Sequence, residues 1–181
     1  MTLLLQILLG LGLAGGSAGT RDVVSQSSIV NRQSSIQPVV IYLVRHAEKL
    51  DDSRDPPLNE AGKHRADLLA DILQDAGITA IWSTEYQRTL ATARPLASRL
   101  GLEVRAYHAG ELGAFAAILL RTPGRHLVVG HSNTTPDLIR ALGGEPHGAF
   151  KDSEYDRLYT IVASGGQATT VLLRFGDRSA P

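Results

Sequence analysis

Residues 39–49 read VVIYLVRHAEK, and the organisation of the whole chain can be worked out from this segment. Its first six residues are apolar or aromatic, they are rich in β-branched side chains, and Pro38 precedes them. A run of this length and composition predicts a strand that is buried inside a parallel sheet. Ligands of an open α/β sheet bind at the carboxyl ends of its strands, so Arg45 and His46 are predicted to lie at a binding site.

The composition indicates one globular domain without a generally charged surface. The chain has 181 residues, of which 43% are hydrophobic, and its 18 Lys and Arg residues balance its 18 Asp and Glu residues. This balance argues against a nucleic-acid partner. The absence of cysteine excludes disulfides, thiolate metal sites and a cysteine nucleophile.

The first 37 residues have a different character from the rest of the chain. Residues 3–13 are almost all apolar and small residues follow, which predicts a signal peptide over residues 1–19 and a secreted or periplasmic protein. The apolar run is too short for a stable membrane span, although an uncleaved anchor and a buried N-terminal helix are alternatives. Residues 20–37 are polar and serine-rich and are predicted to be a linker, which leaves residues 38–181 as a single domain.

Strand and helix patterns alternate through this domain. A helix is predicted from Glu60 to about Ala76 with Asn59 as its N-cap, and another from Tyr86 to Leu100 with a kink or break at Pro95. The other predicted elements are strands at 78–82, 102–107 and 126–130, helices at 111–120 and up to 142 with a threonine cap at 134 or 135, and a hairpin of 158–163 with 168–175. This order predicts a three-layer α/β/α sandwich whose sheet is mostly parallel, with antiparallel pairing near the C-terminus.

Cationic and titratable side chains follow several of the predicted strands. Arg45 and His46 follow the first strand, Arg88 lies one turn into the helix after the second, and His131 follows the strand at 126–130. If these residues meet at one edge of the sheet, they form a cationic pocket suited to a phosphoryl group, because guanidinium groups donate charge-assisted hydrogen bonds to its oxygens.

Four blocks of sequence resemble the histidine phosphatase superfamily, the phosphoglycerate mutase-like group. They are LVRHAEK at 43–49, LNEAG at 58–62, STEYQRTLATA at 83–93 and VVGHSN at 128–133. The blocks occur in the family's order, and the resemblance covers most of the chain after residue 38. The chain lacks the long insertions of the family's mutases and larger acid phosphatases, so it resembles the small, short-loop branch.

The resemblance implies covalent catalysis without a cofactor. His46 would be the nucleophile and would carry the phosphoryl group as phosphohistidine, while Arg45, Arg88 and His131 would bind the phosphoryl oxygens. A backbone carbonyl beside the His46 ring would hold the required tautomer. His46, His131 and Asp137 could instead be metal ligands, but no tight ligand spacing supports this alternative, and we expect no metal.

The residue that protonates the leaving oxygen is predicted less directly. The resemblance favours Glu111, although a carboxylate there would also stabilise the first turn of a helix. Glu48 is the second candidate, and its structural alternative is an ion pair with Arg45 or Lys49. Asn133 is predicted to touch the phosphoryl group or to stabilise its own loop.

The function expected from these residues is phosphomonoester hydrolysis. The alternatives are a phosphoglycerate mutase-like phosphotransferase and a binding module that keeps the fold without turnover. A short-loop chain implies an open site, so the substrate could be a phosphorylated small molecule, glycan or protein side chain. The sequence contains no indication of the oligomeric state.

Overall fold

The computed structural model describes residues 38–178, and the predicted signal peptide and linker lie outside this range. Within residues 38–178, no helix is both long and apolar enough to cross a membrane.

The described residues form one six-stranded sheet. Its strands are β1 (Val39–Arg45), β2 (Ala80–Ser83), β3 (Val104–Ala106), β4 (Arg125–Gly130), β5 (Arg157–Ser164) and β6 (Gln167–Arg174). The spatial order is β3-β2-β4-β1-β5-β6. The first four of these run parallel, β5 pairs antiparallel with β1, and β6 pairs antiparallel with β5. The predicted mixed sheet with an antiparallel C-terminal hairpin is confirmed.

Two pairs of helices cover the two faces of the sheet. They are α1 (Glu60–Leu73), α2 (Gln87–Leu100), α3 (Leu112–Arg121) and α4 (Thr134–Ala141). Ile41 and Leu43 of β1 belong to the core under α3 and α4, whereas Val44 belongs to the core under α1 and α2. Successive side chains of a strand point to opposite faces, so β1 is apolar on both sides, as a central strand requires. The three-layer α/β/α architecture is confirmed.

Local differences from the predicted elements have physical causes. Helix α2 continues through Pro95 without a break, because Ala93, Leu96 and Ala97 are buried in the core on either side of it. Asn59 caps α1 as predicted, its side chain accepting a hydrogen bond from the Gly62 N–H at 2.8 Å.

The predicted threonine cap of α4 is wrong. Asn133 occupies the N-cap position and makes no side-chain capping bond. The Thr134 hydroxyl instead accepts a hydrogen bond from the His131 N–H at 3.0 Å. Thr134 therefore holds the backbone at the end of β4 and not the free N–H groups of the helix.

Gly62 is needed because α1 approaches the segment after β1 very closely. A Cβ atom at position 62 would lie 2.2 Å from the carbonyl oxygen of Glu48. That carbonyl also accepts a hydrogen bond from the Asn59 N–H at 3.0 Å, so it is not free to move away. The close approach fixes the backbone two residues after His46.

We expect Gly62→Ala to destabilise the protein by about 1–3 kcal/mol, because the added methyl group forces the backbone apart in a packed region. Gly113→Ala is the matched control: Gly113 is a helical glycine with nothing within 4 Å of its added Cβ. That change should be neutral or stabilise by roughly 0.5–1 kcal/mol, as helix propensity predicts. Urea unfolding of both variants measures the difference, and equal effects would contradict the close-contact explanation.

Candidate active site

An open cavity of about 410 Å³ lies at the carboxyl ends of β1 and β4. Of the predicted site residues, Arg45, His46, Arg88, His131 and Asn133 line it. Its other lining residues are Lys49, Ser53, Pro56, Tyr86, Ala109, Ser132, Thr134 and Asp152. The parallel pairing of β1 with β4 places Arg45 opposite Gly130, and this register is what brings His46 and His131 together.

His46 is held as one neutral tautomer. Its Nδ1 lies 2.8 Å from the carbonyl oxygen of Ala47, and since a carbonyl can only accept, Nδ1 carries the hydrogen. The other ring nitrogen, Nε2, is therefore an unprotonated nucleophile. Burial, together with Arg45, His131 and Arg88 nearby, lowers the pKa of His46 from 6.5 to about 3, so the ring is neutral at physiological pH.

The backbone around His46 is tied to both neighbouring elements. The His46 N–H donates to the Gly130 carbonyl at 2.9 Å. The Ala47 N–H donates to the Thr92 hydroxyl at 2.9 Å, and that hydroxyl donates to the Arg88 carbonyl at 2.8 Å. Thr92 thus connects Ala47, whose carbonyl orients the His46 ring, to the helical turn that carries Arg88.

Arg45 is fixed by a distant segment of the chain. Its Nη1 lies 3.1, 2.8 and 3.0 Å from the carbonyl oxygens of Lys151, Asp152 and Glu154. The guanidinium carbon also lies 4.2 Å from the ring centroid of Tyr155, a favourable cation–π distance. Its Nε is buried without a hydrogen-bond partner. A cation held in this way keeps one donor for a ligand.

Arg88 is positioned from the start of α2 with one donor unused. Its guanidinium carbon lies 4.4 Å from the centroid of the Tyr86 ring. Its Nη1 is 3.5 Å from Asp55 Oδ1, too long for a well-formed hydrogen bond, and has no other partner. Asp55 itself accepts a hydrogen bond from the Gln87 N–H at 2.9 Å. Arg88 therefore has a nearby carboxylate but retains an unsatisfied donor.

His131 completes the group at the end of β4. Its ring centroid lies 5.4 Å from that of His46 and 5.1 Å from that of Tyr86. Its Nε2 is 2.9 Å from the Thr84 hydroxyl, and its Nδ1 is 3.5 Å from Arg88 Nη2. Burial, followed by the charges of Arg88 and Arg45, lowers the pKa of His131 to about 4.

A third histidine, His126, is buried in the sheet and away from the cavity. Its Nδ1 accepts a hydrogen bond from Trp82 Nε1 at 3.2 Å, and its Nε2 donates to the Thr122 carbonyl at 3.0 Å. Burial lowers its pKa from 6.5. His126 is therefore a buried core residue with both ring nitrogens hydrogen bonded.

These three histidines predict an acid-sensitive fold. Each has a folded-state pKa below its unfolded value of 6.5, so the unfolded chain binds protons that the folded chain does not. The contribution of these histidines to the free energy of unfolding should therefore be complete above about pH 6.5, and it should fall as the pH drops below that value. His46 and His131, with folded-state pKa values of about 3 and about 4, each contribute about 1.4 kcal/mol per pH unit below pH 6.5, or about 3 kcal/mol together, and His126 acts in the same direction.

Urea unfolding between about pH 7.5 and 5.5 measures this slope. A free energy of unfolding that stays constant over this range would contradict the prediction.

Neither of the two predicted proton donors, Glu111 and Glu48, is among the residues that line the cavity. Glu111 is exposed at the N-cap position of α3 and is not among the residues lining the cavity, although Ala109 is. Glu48 accepts hydrogen bonds from Arg65 at 2.7–3.0 Å, so its predicted pairing with Arg45 or Lys49 is wrong. Arg65 also donates hydrogen bonds to the carbonyls of Phe175 and Asp177, and these contacts hold its guanidinium group beside Glu48. Asp152 is the only carboxylate among the described lining residues.

Several residues that shape the site have no clear signal in the sequence. Tyr155 and the carbonyls of residues 151, 152 and 154 reach Arg45 from more than 100 positions away. Thr84, Thr89 and Thr92 form hydroxyl contacts inside the STEYQRTLATA block, where only the arginine was assigned a role. Among residues 38–178, no group of three or more His, Asp or Glu side chains is arranged to hold a metal ion.

Comparison with known families places the match in the first half of the domain. A family model described as the histidine phosphatase superfamily (branch 1) matches residues 41–109. A Photorhabdus laumondii protein named "Probable phosphoglycerate mutase GpmB" is 35% identical over 35% of this chain and 33% of its own length. The protein of the same name from Yersinia pestis is 38% identical over 34% and 32%. The match thus spans about a third of these curated relatives.

Solved structures match almost the whole described domain. The protein histidine phosphatase SixA complexed with tungstate has a TM-score of 0.61 at 18% identity, over 75% of this chain and 96% of that chain. A phosphoserine phosphatase mutant from Entamoeba histolytica with phosphoserine has a TM-score of 0.56 at 17% identity, over 76% and 96%. Mycobacterial glucosyl-3-phosphoglycerate phosphatase has a TM-score of 0.58 at 15% identity, over 77% and 99%. At these identities the likeness concerns the fold.

Proposed function

Because the chain belongs to the histidine phosphatase superfamily, we propose that it hydrolyses phosphomonoesters through a phosphohistidine on His46. The observation that carries the proposal is the His46 ring: its Nδ1 is bonded to the Ala47 carbonyl, which leaves Nε2 unprotonated in a cavity lined by two arginines. A neutral imidazole nitrogen beside two fixed cations suits attack on an anionic phosphorus centre.

Arg45, Arg88 and His131 bind the phosphoryl oxygens in this proposal. The buried and unpartnered Nε of Arg45 and Nη1 of Arg88 support it, because an oxyanion would satisfy both donors. Both guanidinium groups are held before the substrate arrives, so they stabilise the charge spread over the transferring group without reorganising. Asn133 lines the same cavity and is proposed to contact the phosphoryl group.

The transfer has two steps. In the first, a bond forms between His46 Nε2 and phosphorus while the bond to the ester oxygen breaks, and its electron pair leaves with that oxygen. In the second, water attacks phosphorus and the electron pair of the P–N bond returns to Nε2. The cavity is open enough to admit a phosphorylated small molecule, a glycan or a protein side chain.

The test is turnover of a generic aryl phosphate by the full-length chain, with rapid quenching to trap the intermediate. We expect turnover without added metal and unaffected by a chelator, together with a phosphoprotein that is labile in acid and stable in alkali. Absence of turnover, or full inhibition by the chelator, would contradict the proposal. Phosphoryl transfer to an added phosphoglycerate in preference to water would instead support the mutase that the curated relatives are named for.

Glu111 remains a predicted proton donor, and its role can be measured separately. If Glu111 protonates the leaving oxygen, Glu111→Gln should slow substrates with poor leaving groups by about 10²-fold or more and spare those with good ones. The measurement is kcat/KM for a series of aryl phosphates with rising leaving-group pKa. A uniform effect below about threefold would remove Glu111 from the mechanism.

A further inference from the structure

We propose that Thr84 and Thr89 are positioning residues that hold His131 as its Nε2–H tautomer, so that the cavity binds a phosphoryl dianion together with one proton on His131 Nδ1. This proton is the one given to the leaving oxygen. The use of the proton rests on the proposed function, whereas the tautomer and the coupling of anion binding to proton uptake can be measured without turnover.

The observation is a short chain of hydroxyl contacts behind His131. The Thr84 hydroxyl lies 2.9 Å from His131 Nε2 and 2.9 Å from the Thr89 hydroxyl. The Thr89 hydroxyl in turn lies 3.0 Å from the Thr84 carbonyl and 2.9 Å from the Tyr86 carbonyl. Thr84 and Thr89 are both buried, so water does not compete for these bonds.

The direction of the chain follows from its two ends. Carbonyl groups only accept, so Thr89 donates to them, Thr84 donates to Thr89, and His131 Nε2–H donates to Thr84. At the other ring nitrogen, Arg88 Nη2 is 3.5 Å away and can only donate. The opposite direction would place an Nδ1–H against this guanidinium N–H. Both ends therefore select a neutral ring whose Nδ1 carries no hydrogen.

The unprotonated Nδ1 matters because the groups that contact the His131 ring are cationic or neutral. Arg88 and Tyr86 approach His131 from the start of α2, and Arg45 and His46 approach it from the end of β1. Two carboxylates lie further out: Asp55 is 3.5 Å from Arg88 Nη1, and Asp152 lines the same cavity. No described carboxylate is in contact with the ring, so the empty cavity does not favour protonation. A bound phosphoryl dianion favours protonation of His131, because its oxygens would otherwise face the lone pair of Nδ1.

The proton then completes the chemistry of the first step. As the bond between His46 Nε2 and phosphorus forms, the ester oxygen leaves with the electron pair of the broken bond and takes the proton from His131 Nδ1. His131 returns to the neutral Nε2–H form. In the second step the same nitrogen accepts a proton from the attacking water, and this proton leaves with the phosphate. The cavity thus needs no carboxylic acid for the leaving group.

Thr89→Val is the sharpest variant because it removes only the acceptor of the Thr84 hydroxyl. The two carbonyls that Thr89 contacts keep other donors, the Ser83 hydroxyl and the Leu90 N–H. The freed Thr84 hydroxyl can then donate to Nε2, which moves the hydrogen of His131 to Nδ1. Thr89→Ser keeps a hydroxyl and should behave like the unaltered protein. Thr169→Val is a control on the exposed face of β6.

The first measurement is the ¹⁵N spectrum of the imidazole rings in the full-length protein, assigned by comparison with His131→Gln. We expect the Nε2–H tautomer in the free protein and in Thr89→Ser, and the Nδ1–H tautomer in Thr89→Val. On saturation with sulfate, both His131 nitrogens should become protonated. An Nδ1–H tautomer in the free, unaltered protein would overturn the proposal.

The second measurement is the affinity for sulfate, which stays a dianion near neutral pH. Uptake of one proton makes the affinity fall about tenfold per pH unit, so we expect a loss of about thirtyfold from pH 5.5 to 7. In Thr89→Val the loss should be below about threefold. A flat profile in the unaltered protein would overturn the inference even if aryl phosphate is hydrolysed. Proton-linked sulfate binding without any turnover would instead overturn the proposed function.

Discussion

His46→Ala is expected to abolish aryl phosphate hydrolysis, with a loss on the order of 10⁴-fold or more in kcat. The variant removes the atom that would bond to phosphorus, so no phosphoprotein should be trapped after rapid quenching. The fold should survive, because the backbone N–H of residue 46 still donates to the Gly130 carbonyl. The loss of a buried ring does leave a cavity beside His131.

His64→Ala is the matched control for this prediction. His64 lies on α1 with an exposed side chain and does not line the active-site cavity. The activity of His64→Ala should stay within about twofold of that of the unaltered protein, as expected for a surface substitution. Equal activity of His46→Ala and His64→Ala would exclude His46 as the nucleophile, and a phosphoprotein in His46→Ala would identify another acceptor.

Arg88→Ala should lower kcat/KM by about 10²–10³-fold, because a preorganised donor to the transferring oxygens is lost. The side chain is only 14% exposed, and its unpartnered Nη1 is the donor that the substrate would satisfy. Arg88→Lys should recover a part of this loss, since lysine restores the charge without the planar pair of donors. Steady-state kinetics with an aryl phosphate and product inhibition by phosphate measure both effects.

Arg99→Ala separates this electrostatic role from the stability of α2. Arg99 lies on the last turn of the same helix and pairs on the surface with Asp71. Arg99→Ala makes the same change of side chain in the same helix, and therefore a similar change in helix propensity, but it should leave kcat/KM unchanged. If Arg88→Ala and Arg99→Ala have the same small effect on kcat/KM, Arg88 does not bind the phosphoryl group.

The sequence predicts the alternation of strands and helices for a local reason. It also predicts five charged or titratable site residues, and four of them line the cavity. A buried strand and an amphipathic helix are encoded by residues close together in the chain, and a parallel sheet brings strand ends to one edge. Arg45, His46, Arg88 and His131 each follow such a pattern. Glu111 does not follow such a pattern. Its position depends on the path of the loop between β3 and α3, and not on the end of a strand.

Patterns within the chain therefore specify the sandwich, its central strand and the two Arg and two His residues at its edge. The tertiary structure decides how the polar residues at this edge are held: Arg45 by the carbonyls of residues 151, 152 and 154, Glu48 by Arg65, and His131 by the Thr84 and Thr89 hydroxyls. The physical reason is that each contact joins groups whose separation along the chain carries no periodic signal. The direction of a hydroxyl hydrogen bond depends on every neighbour of that hydroxyl, and only the folded chain assembles those neighbours.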